Sequence, residues 1–428
     1  MQYWNTILKS LFLLLIINFN VNAQQNSPYS RYGIGDLKSI ENVANRGMGG
    51  FSIADNNSFL INVSNPASYA FLKMTTYQMA VEATSVNVKN STTSNQTGYA
   101  GLSYFNVAFP IIKEKAAISF GLLPQTRSKY FMQQNSLLNA TTPVEQNYFG
   151  GGSIQKVYVG GAYEFKGISL GTNLGYSFGN YQNNSETVFN DTSDILRSNF
   201  LKRTVVGGAF AQFGLLAERN LNKNYMIKFG ATYSLGQTLN ASRQTSIISS
   251  YLEFDPIDTI NTRSRTIYEK IDEKGKINLP SQIGLGLQLI NGDKWQIGVD
   301  YTSADWSKYT SYGEKEPLGK QYLMRIGMAY TPDNTSTTSS LKRITYRTGF
   351  NFGQDLIYIN NTKSPISTFT LGLGYPIRRT LMSIGQINAA LEVGKRGSIS
   401  NGLIAENYTR FVLGITVNDR WFLKRKYD

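Results

Sequence analysis

Beyond residue 74 the chain alternates, apolar then polar, with a period of two, in fourteen separate stretches. Between 279 and 291, Ile283, Leu285, Leu287 and Leu289 oppose Gln282, Gly284, Gly286 and Gln288. Between 366 and 376, Phe369, Leu371, Leu373 and Tyr375 oppose Thr368, Thr370, Gly372 and Gly374. The same pattern runs through 167–180 and 224–240. The expected strands are 75–89, 99–110, 115–124, 154–165, 167–180, 200–217, 224–240, 279–291, 294–305, 320–332, 341–354, 366–376, 380–395 and 407–417. Each is long enough to cross a bilayer at a tilt, which takes roughly 9–11 residues. The expected connections alternate long and short, with 125–153 and 241–278 the longest. That asymmetry is the pattern of a closed transmembrane barrel, with long loops outside and short turns on the periplasmic side. The sheet must close, because lipid cannot satisfy an open strand edge.

The ends and the composition agree. Lys9, the apolar run 11–17 and Val21-Asn22-Ala23 form an export signal, so 1–23 is expected to be cleaved before Gln24. Seven apolar residues fall far short of the roughly 20 that a spanning helix needs. The mean hydropathy of −0.26 is mildly polar. A barrel tolerates this because its lipid-facing and lumen-facing residues average out. Tyr176, Tyr301, Tyr330 and Tyr375 fall near strand ends, where aromatic girdles form, and the last strand runs to Trp421-Phe422. The chain has no Cys and no His. This removes thiolate nucleophiles, zinc-thiolate sites and the usual general base, so no enzyme, cofactor or metal is expected. The net charge is +14, but its basic residues are scattered apart from Lys424-Arg425-Lys426. An exported chain of this kind points to anionic lipid head groups, including lipopolysaccharide, and not to nucleic acid.

Residues 24–74 do not alternate. The segment could be a disordered periplasmic tail or a hatch, and because Phe51, Ile53, Phe59, Leu60, Ile61 and Val63 need burial it is expected as a hatch inside the barrel of 75–428. On the polar faces of the strands, Lys228, Asp300, Arg325, Arg347 and Glu392 should point into the lumen. They suit either a ligand carboxylate or an ion-pair network that fixes the hatch. Gly160-Gly161 and Gly207-Gly208 are candidates for bulges or kinks in the wall.

Several short motifs then carry a resemblance. Arg46-Gly47-Met48-Gly49-Gly50, Ile53-Ala54-Asp55 and Asn65-Pro66-Ala67 are followed in order by Leu279-Pro280 with Gly284. Asp300-Tyr301 with Asp305-Trp306-Ser307, and Tyr346-Arg347-Thr348-Gly349-Phe350, complete the series. Together with the opening Ser27-Pro28-Tyr29-Ser30-Arg31-Tyr32-Gly33-Ile34-Gly35-Asp36, the chain resembles a divergent branch of the FadL/TodX-type outer-membrane barrels. Ser68 departs from the glycine that the transporters usually carry there. The resemblance implies an all-β, closed antiparallel barrel of about fourteen strands plugged by an N-terminal hatch. The hatch motif would comprise Arg46, Gly47, Gly49, Gly50, Asp55, Asn65, Pro66 and Ala67. It implies a channel for hydrophobic small molecules such as long-chain fatty acids. The alternative is a non-transporting scaffold subunit of an outer-membrane secretion or assembly complex, with other outer-membrane proteins as partners. Both chain ends would then lie on the periplasmic side.

Overall fold

The computed structural model describes residues 27–138, 142–189, 196–254, 260–359, 361–379, 383–399 and 403–421. The expected export signal 1–23 and the residues beyond Trp421 lie outside them. Fourteen wall strands follow one another in chain order, each antiparallel to both neighbours. They are β1 Thr75–Lys89, β2 Ser94–Ile112, β3 Ala116–Leu138, β4 Thr142–Phe165, β5 Ile168–Phe189 and β6 Leu196–Asn220. Two broken strands come next, β7 (Tyr225–Ser234, then Gln237–Phe254) and β8 (Ile260–Leu279, then Gln282–Asn291). The rest are β9 Trp295–Asp305, β10 Lys320–Tyr330, β11 Thr345–Ile359, β12 Thr362–Arg379, β13 Ser383–Arg396 and β14 Ala405–Asp419. The barrel closes where β14 pairs with β1, from Asp419 opposite Thr75 to Ala405 opposite Lys89.

Alternation becomes an outside and an inside. Leu285, Leu287, Phe369, Leu371, Leu373, Phe411, Ile415 and Val417 are exposed on the outer belt. Their neighbours Gln288, Thr368, Thr370 and Thr416 are buried inward. The outer belt also carries Tyr176, Tyr301, Tyr330 and Tyr375. Trp421 packs against Phe109 and Tyr77, with ring centroids 5.5 and 5.8 Å away.

The wall departs from the sequence expectation in its height. Most of 125–153 and of 241–278 is strand, not loop. β3 to β6 hold 22 to 25 residues each, against 11 to 18 in β9 to β14. Strands β3 to β8 therefore rise on one side as a curtain, adding roughly 30 Å of strand at about 3.3 Å per residue. Their upper parts mix polar and apolar residues on both faces, so no clean alternation announces them. At the opposite end, the connection 331–344 is longer than the short turn expected there, and it holds the 3-10 turn Leu341–Arg343. Gly160-Gly161 makes no bulge, whereas past Gly207-Gly208 the ladder with β7 breaks off after Gly207 opposite Asn240 and resumes one residue out of register at Gln212 opposite Ser234. Between β4, β5 and β6 the register runs unbroken, with Gly160 and Gly161 opposite Asn173 and Thr172, and Gly207 and Gly208 opposite Phe178 and Ser177.

The wall does break elsewhere. β2 and β3 pair only from Phe105 opposite Leu122 down to Ile112 opposite Ala116. Above this point the two strands part. Pro124 stands at the break, where the missing N–H costs no ladder bond.

The plugged lumen as candidate functional site

The first half of the plug descends from the rim. Pro28–Arg31 is one 3-10 turn, followed by the two-residue strand Asp36–Leu37. That strand adds to the edge of β3 that β2 leaves free, with Asp36 opposite Arg127 and Leu37 opposite Thr126. Backbone bonds extend the pairing: the Ser27 N–H donates to the Lys129 carbonyl at 2.9 Å, and the Lys38 N–H to the Gln125 carbonyl at 3.0 Å. Lys38 reaches across to Glu82 of β1 at 3.2 Å and to the Tyr99 hydroxyl of β2. The Arg127 guanidinium of β3 lies 4.4 Å from the centre of the Tyr99 ring. The N-terminal arm is thus the material that fills the seam between β2 and β3.

Deeper, one turn of helix (α1, Val43–Arg46) is capped by the Asn42 side chain, which accepts from the Asn45 N–H at 3.0 Å. It delivers Arg46 into the lumen, fully buried. The Arg46 guanidinium binds Glu392 of β13 at 2.6 Å and Glu82 of β1 at 2.9 Å. Arg410 of β14 binds Glu392 from the other side at 2.7 Å. Burial alone would lower the Arg46 pKa, but the charges of Glu392 and Glu82 outweigh it and hold the pKa above its ordinary value.

Gly47, Gly49 and Gly50 follow. The positive φ of Gly49 (+70°) and Gly50 (+82°) suits glycine, and Gly49 donates to the Thr370 hydroxyl at 2.8 Å. The wall makes room for this turn with glycines of its own. A Cβ on Gly349 would fall 2.2 Å from the Gly49 nitrogen, and one on Gly327 would fall 2.3 Å from the Met48 carbonyl oxygen. Asp55 accepts from the Asn45 side chain at 2.8 Å. Asn65 caps the 3-10 turn Pro66–Phe71 by accepting from the Ala67 N–H at 3.1 Å, and its amide donates to the Ile53 carbonyl at 2.7 Å. Gly214 lies under this turn, where a Cβ would fall 2.1 Å from the Asn65 side-chain oxygen.

All five lumen charges expected from sequence face inward and are occupied. Asp300 accepts from the Ser52 and Ile53 N–H groups at 2.6 and 2.8 Å. Lys228 hydrogen-bonds Asn56, Arg325 pairs with Glu41 at 3.4 Å, and Glu392 holds Arg46. Arg347 instead donates to Asn388 of the wall at 3.1 Å. Four of these five therefore hold the plug. Sequence reasoning missed Glu82, Arg410 and Lys38, which complete the network around Arg46 and Glu392, although the first two sit on polar faces of expected strands.

It also missed a second cluster near the rim. Arg396 of β13 binds Asp355 of β11 at 2.6 Å, Asp36 of the arm at 2.7 Å and Glu406 of β14 at 3.4 Å. The Ser27 hydroxyl donates to Glu406 at 2.6 Å, and the Tyr29 hydroxyl to the Ile404 carbonyl at 2.5 Å. Asp36 belongs to the opening motif quoted above, which was the available signal.

Comparison with known proteins agrees with this architecture. The family model described as BamG matches residues 6–428. No curated protein matches. The toluene transporter TbuX of Ralstonia pickettii is 15% identical with a TM-score of 0.59, covering 90% of this chain and 99% of that one. The toluene transporter TodX of Pseudomonas putida is 16% identical with a TM-score of 0.58, covering 91% and 100%. A Pseudomonas aeruginosa FadL homologue is 14% identical with a TM-score of 0.56, covering 91% and 100%. At these identities the likeness is one of fold, and that fold is the FadL-like outer-membrane barrel.

Proposed function

The chain belongs to the BamG family, and from that premise we propose that it acts as a plugged, non-conducting scaffold subunit of an outer-membrane protein complex. The carrying observation is that the plug uses up the lumen. Four of the five lumen charges that could have met a ligand carboxylate instead hold residues 41–56. The arm fills the lower part of the gap where β2 and β3 part, along 125–129 of β3. Buried charges paired this way do not release a partner cheaply, because the charge left behind is uncompensated. The curtain of β3 to β8 gives such a subunit a large polar surface, and both chain ends would face the periplasm. Lipid and lipopolysaccharide would bathe the outer belt.

A second reading rests on the seam. If the arm withdraws from β3, the lumen opens sideways into the belt. The chain would then be an uptake channel for a hydrophobic ligand, long-chain fatty acids among the candidates, in keeping with its toluene-transporting structural neighbours. Purification from native membranes separates the readings. A scaffold brings a fixed set of partner proteins and loses some of them when 26–68 is deleted. A channel brings no fixed partners, and proteoliposomes holding it take up toluene or a fatty acid. Uptake without partners would overturn the scaffold reading.

A further inference from the structure

The curtain ends in two vertical strand edges, and they are built differently. On the β8 side, the strand above Asn278 has left β9 behind, since only Ile277 and Asn278 still pair with Ser311 and Thr310. Above that point Tyr312 covers part of the edge: its N–H donates to the Lys276 carbonyl at 2.9 Å and its hydroxyl to the Glu273 carbonyl at 3.0 Å. The edge beyond carries Glu269, Lys270, Asp272, Glu273 and Lys274, with register shifts between Thr266 and Tyr268 and between Lys270 and Glu273. Charges and bulges are the standard means by which an edge refuses another strand.

Above Lys129 the β3 edge has neither. β2 stops pairing with it at Leu122, and the arm covers it only as far as Lys129. Residues 132–137 read Met132, Gln133, Gln134, Asn135, Ser136, Leu137, with no charge and no proline. Their register with β4 runs without a shift, from Met132 opposite Tyr148 to Leu137 opposite Pro143. Gln133, Gln134, Asn135 and Ser136 are exposed, and Leu137 is 63% exposed. No described residue pairs with this stretch on its outer side. The same edge demonstrably accepts a strand lower down, because Asp36–Leu37 of the arm adds to it in antiparallel register.

We propose that β3 residues 132–137 form a strand-addition site for an extended, uncharged segment of a partner polypeptide at the cell surface. Main-chain bonds would supply the affinity, and the alternating side chains the selectivity. Amides on both faces, Gln133 and Asn135 on one and Gln134 on the other, favour amide- or hydroxyl-bearing neighbours. A charged segment would find no counter-charge along this stretch. The inference deepens the scaffold reading and rests on it, for it names where one partner docks.

The test uses the full chain in intact cells. A photoreactive phenylalanine analogue replaces Gln133, Asn135 or Leu137 in turn, and Ile267 on the β8 edge serves as control. Mapped adducts should advance along one partner segment in steps of two residues, the ladder of an added strand. Gln133→Lys with Asn135→Lys should cut the adduct at Leu137 roughly tenfold, about 1.4 kcal/mol of affinity. Heat-modifiable migration confirms that this variant is folded, and the adduct ladder on the otherwise unaltered edge stands independently of it. Adducts that scatter, that join only a second copy, or that ignore the two lysines overturn the proposal. If partners still co-purify while no ladder forms, the docking site falls and the scaffold reading survives. If no partner co-purifies at all, both fall.

Discussion

Two buried ion clusters hold the same plug, and they are wired in opposite ways. In the deep cluster, three cations serve two carboxylates. Glu82 has Lys38 and Arg46, while Glu392 has Arg46 and Arg410. In the rim cluster one guanidinium serves three carboxylates, with Arg396 alone between Asp36, Asp355 and Glu406. Both are well buried, so neither can be dismissed as surface pairing. The difference lies in redundancy. Removing any one deep cation leaves each carboxylate a partner, whereas removing Arg396 leaves three carboxylates facing one another. The deep cluster fastens the body of the plug, and the rim cluster fastens the arm that fills the seam. Of the two clusters, the one that fastens Asp36 of the arm is therefore the one that depends on a single residue.

The largest expected effect follows directly. Arg396→Ala should destabilise the closed state by about 3–5 kcal/mol, the usual cost of stranding buried charge. It should appear as proteolytic cleavage within 27–38 and as a lower temperature of heat-modifiable migration. Arg46→Ala should cost less, about 1.5–3 kcal/mol, because Lys38 and Arg410 remain. If Arg46→Ala proves the more damaging, redundancy is not what separates the clusters. Gly349→Val sharpens the comparison without touching a charge. The added Cβ would meet the backbone of Met48 and Gly49, and overpacking of this kind costs about 1–3 kcal/mol. It should loosen 47–50, read as hydrogen exchange, and leave the arm protected. Equal loosening of both parts would mean that they move as one body.

The smallest effect is a pH dependence of the arm. Glu316 accepts from the Gly33 N–H at 2.6 Å, and its pKa is raised, chiefly by burial, with the Gly33 bond working against that. A raised carboxyl pKa adds stability that is present in full below the unfolded pKa and is lost as pH rises through the folded value. Arm protection should thus weaken slightly as pH climbs out of the ordinary carboxylate range. Glu316→Gln should flatten that slope. A slope that persists unchanged in the variant would assign it to other groups.

These regions also differ in how far the sequence reveals them. The lipid belt is legible because lipid imposes a period: an outward position must be apolar, as Leu285, Leu371 and Ile415 are. The deep cluster is half legible. Glu392 and Asp300 break the polar faces as isolated charges, and Arg46 stands in a glycine-rich motif, but pairing across 346 residues leaves no local mark. The rim cluster was invisible as a cluster. Asp355 and Arg396 fall just past the expected strands 341–354 and 380–395, and Glu406 falls just before 407–417. Alternation stops where the lipid stops, while the strands go on. The same reason hid the curtain, and with it the free edge of β3.

The central claim is that residues 27–74 stop the lumen, and single-channel recording in a planar bilayer tests it most directly. The intact protein should insert and remain electrically silent. Deletion of 26–68 should leave a folded barrel with stable, large conductance steps, and Arg396→Ala should give brief openings between these extremes. An intact protein that conducts as well as the deletion would contradict the account, because the segment could not then be the plug.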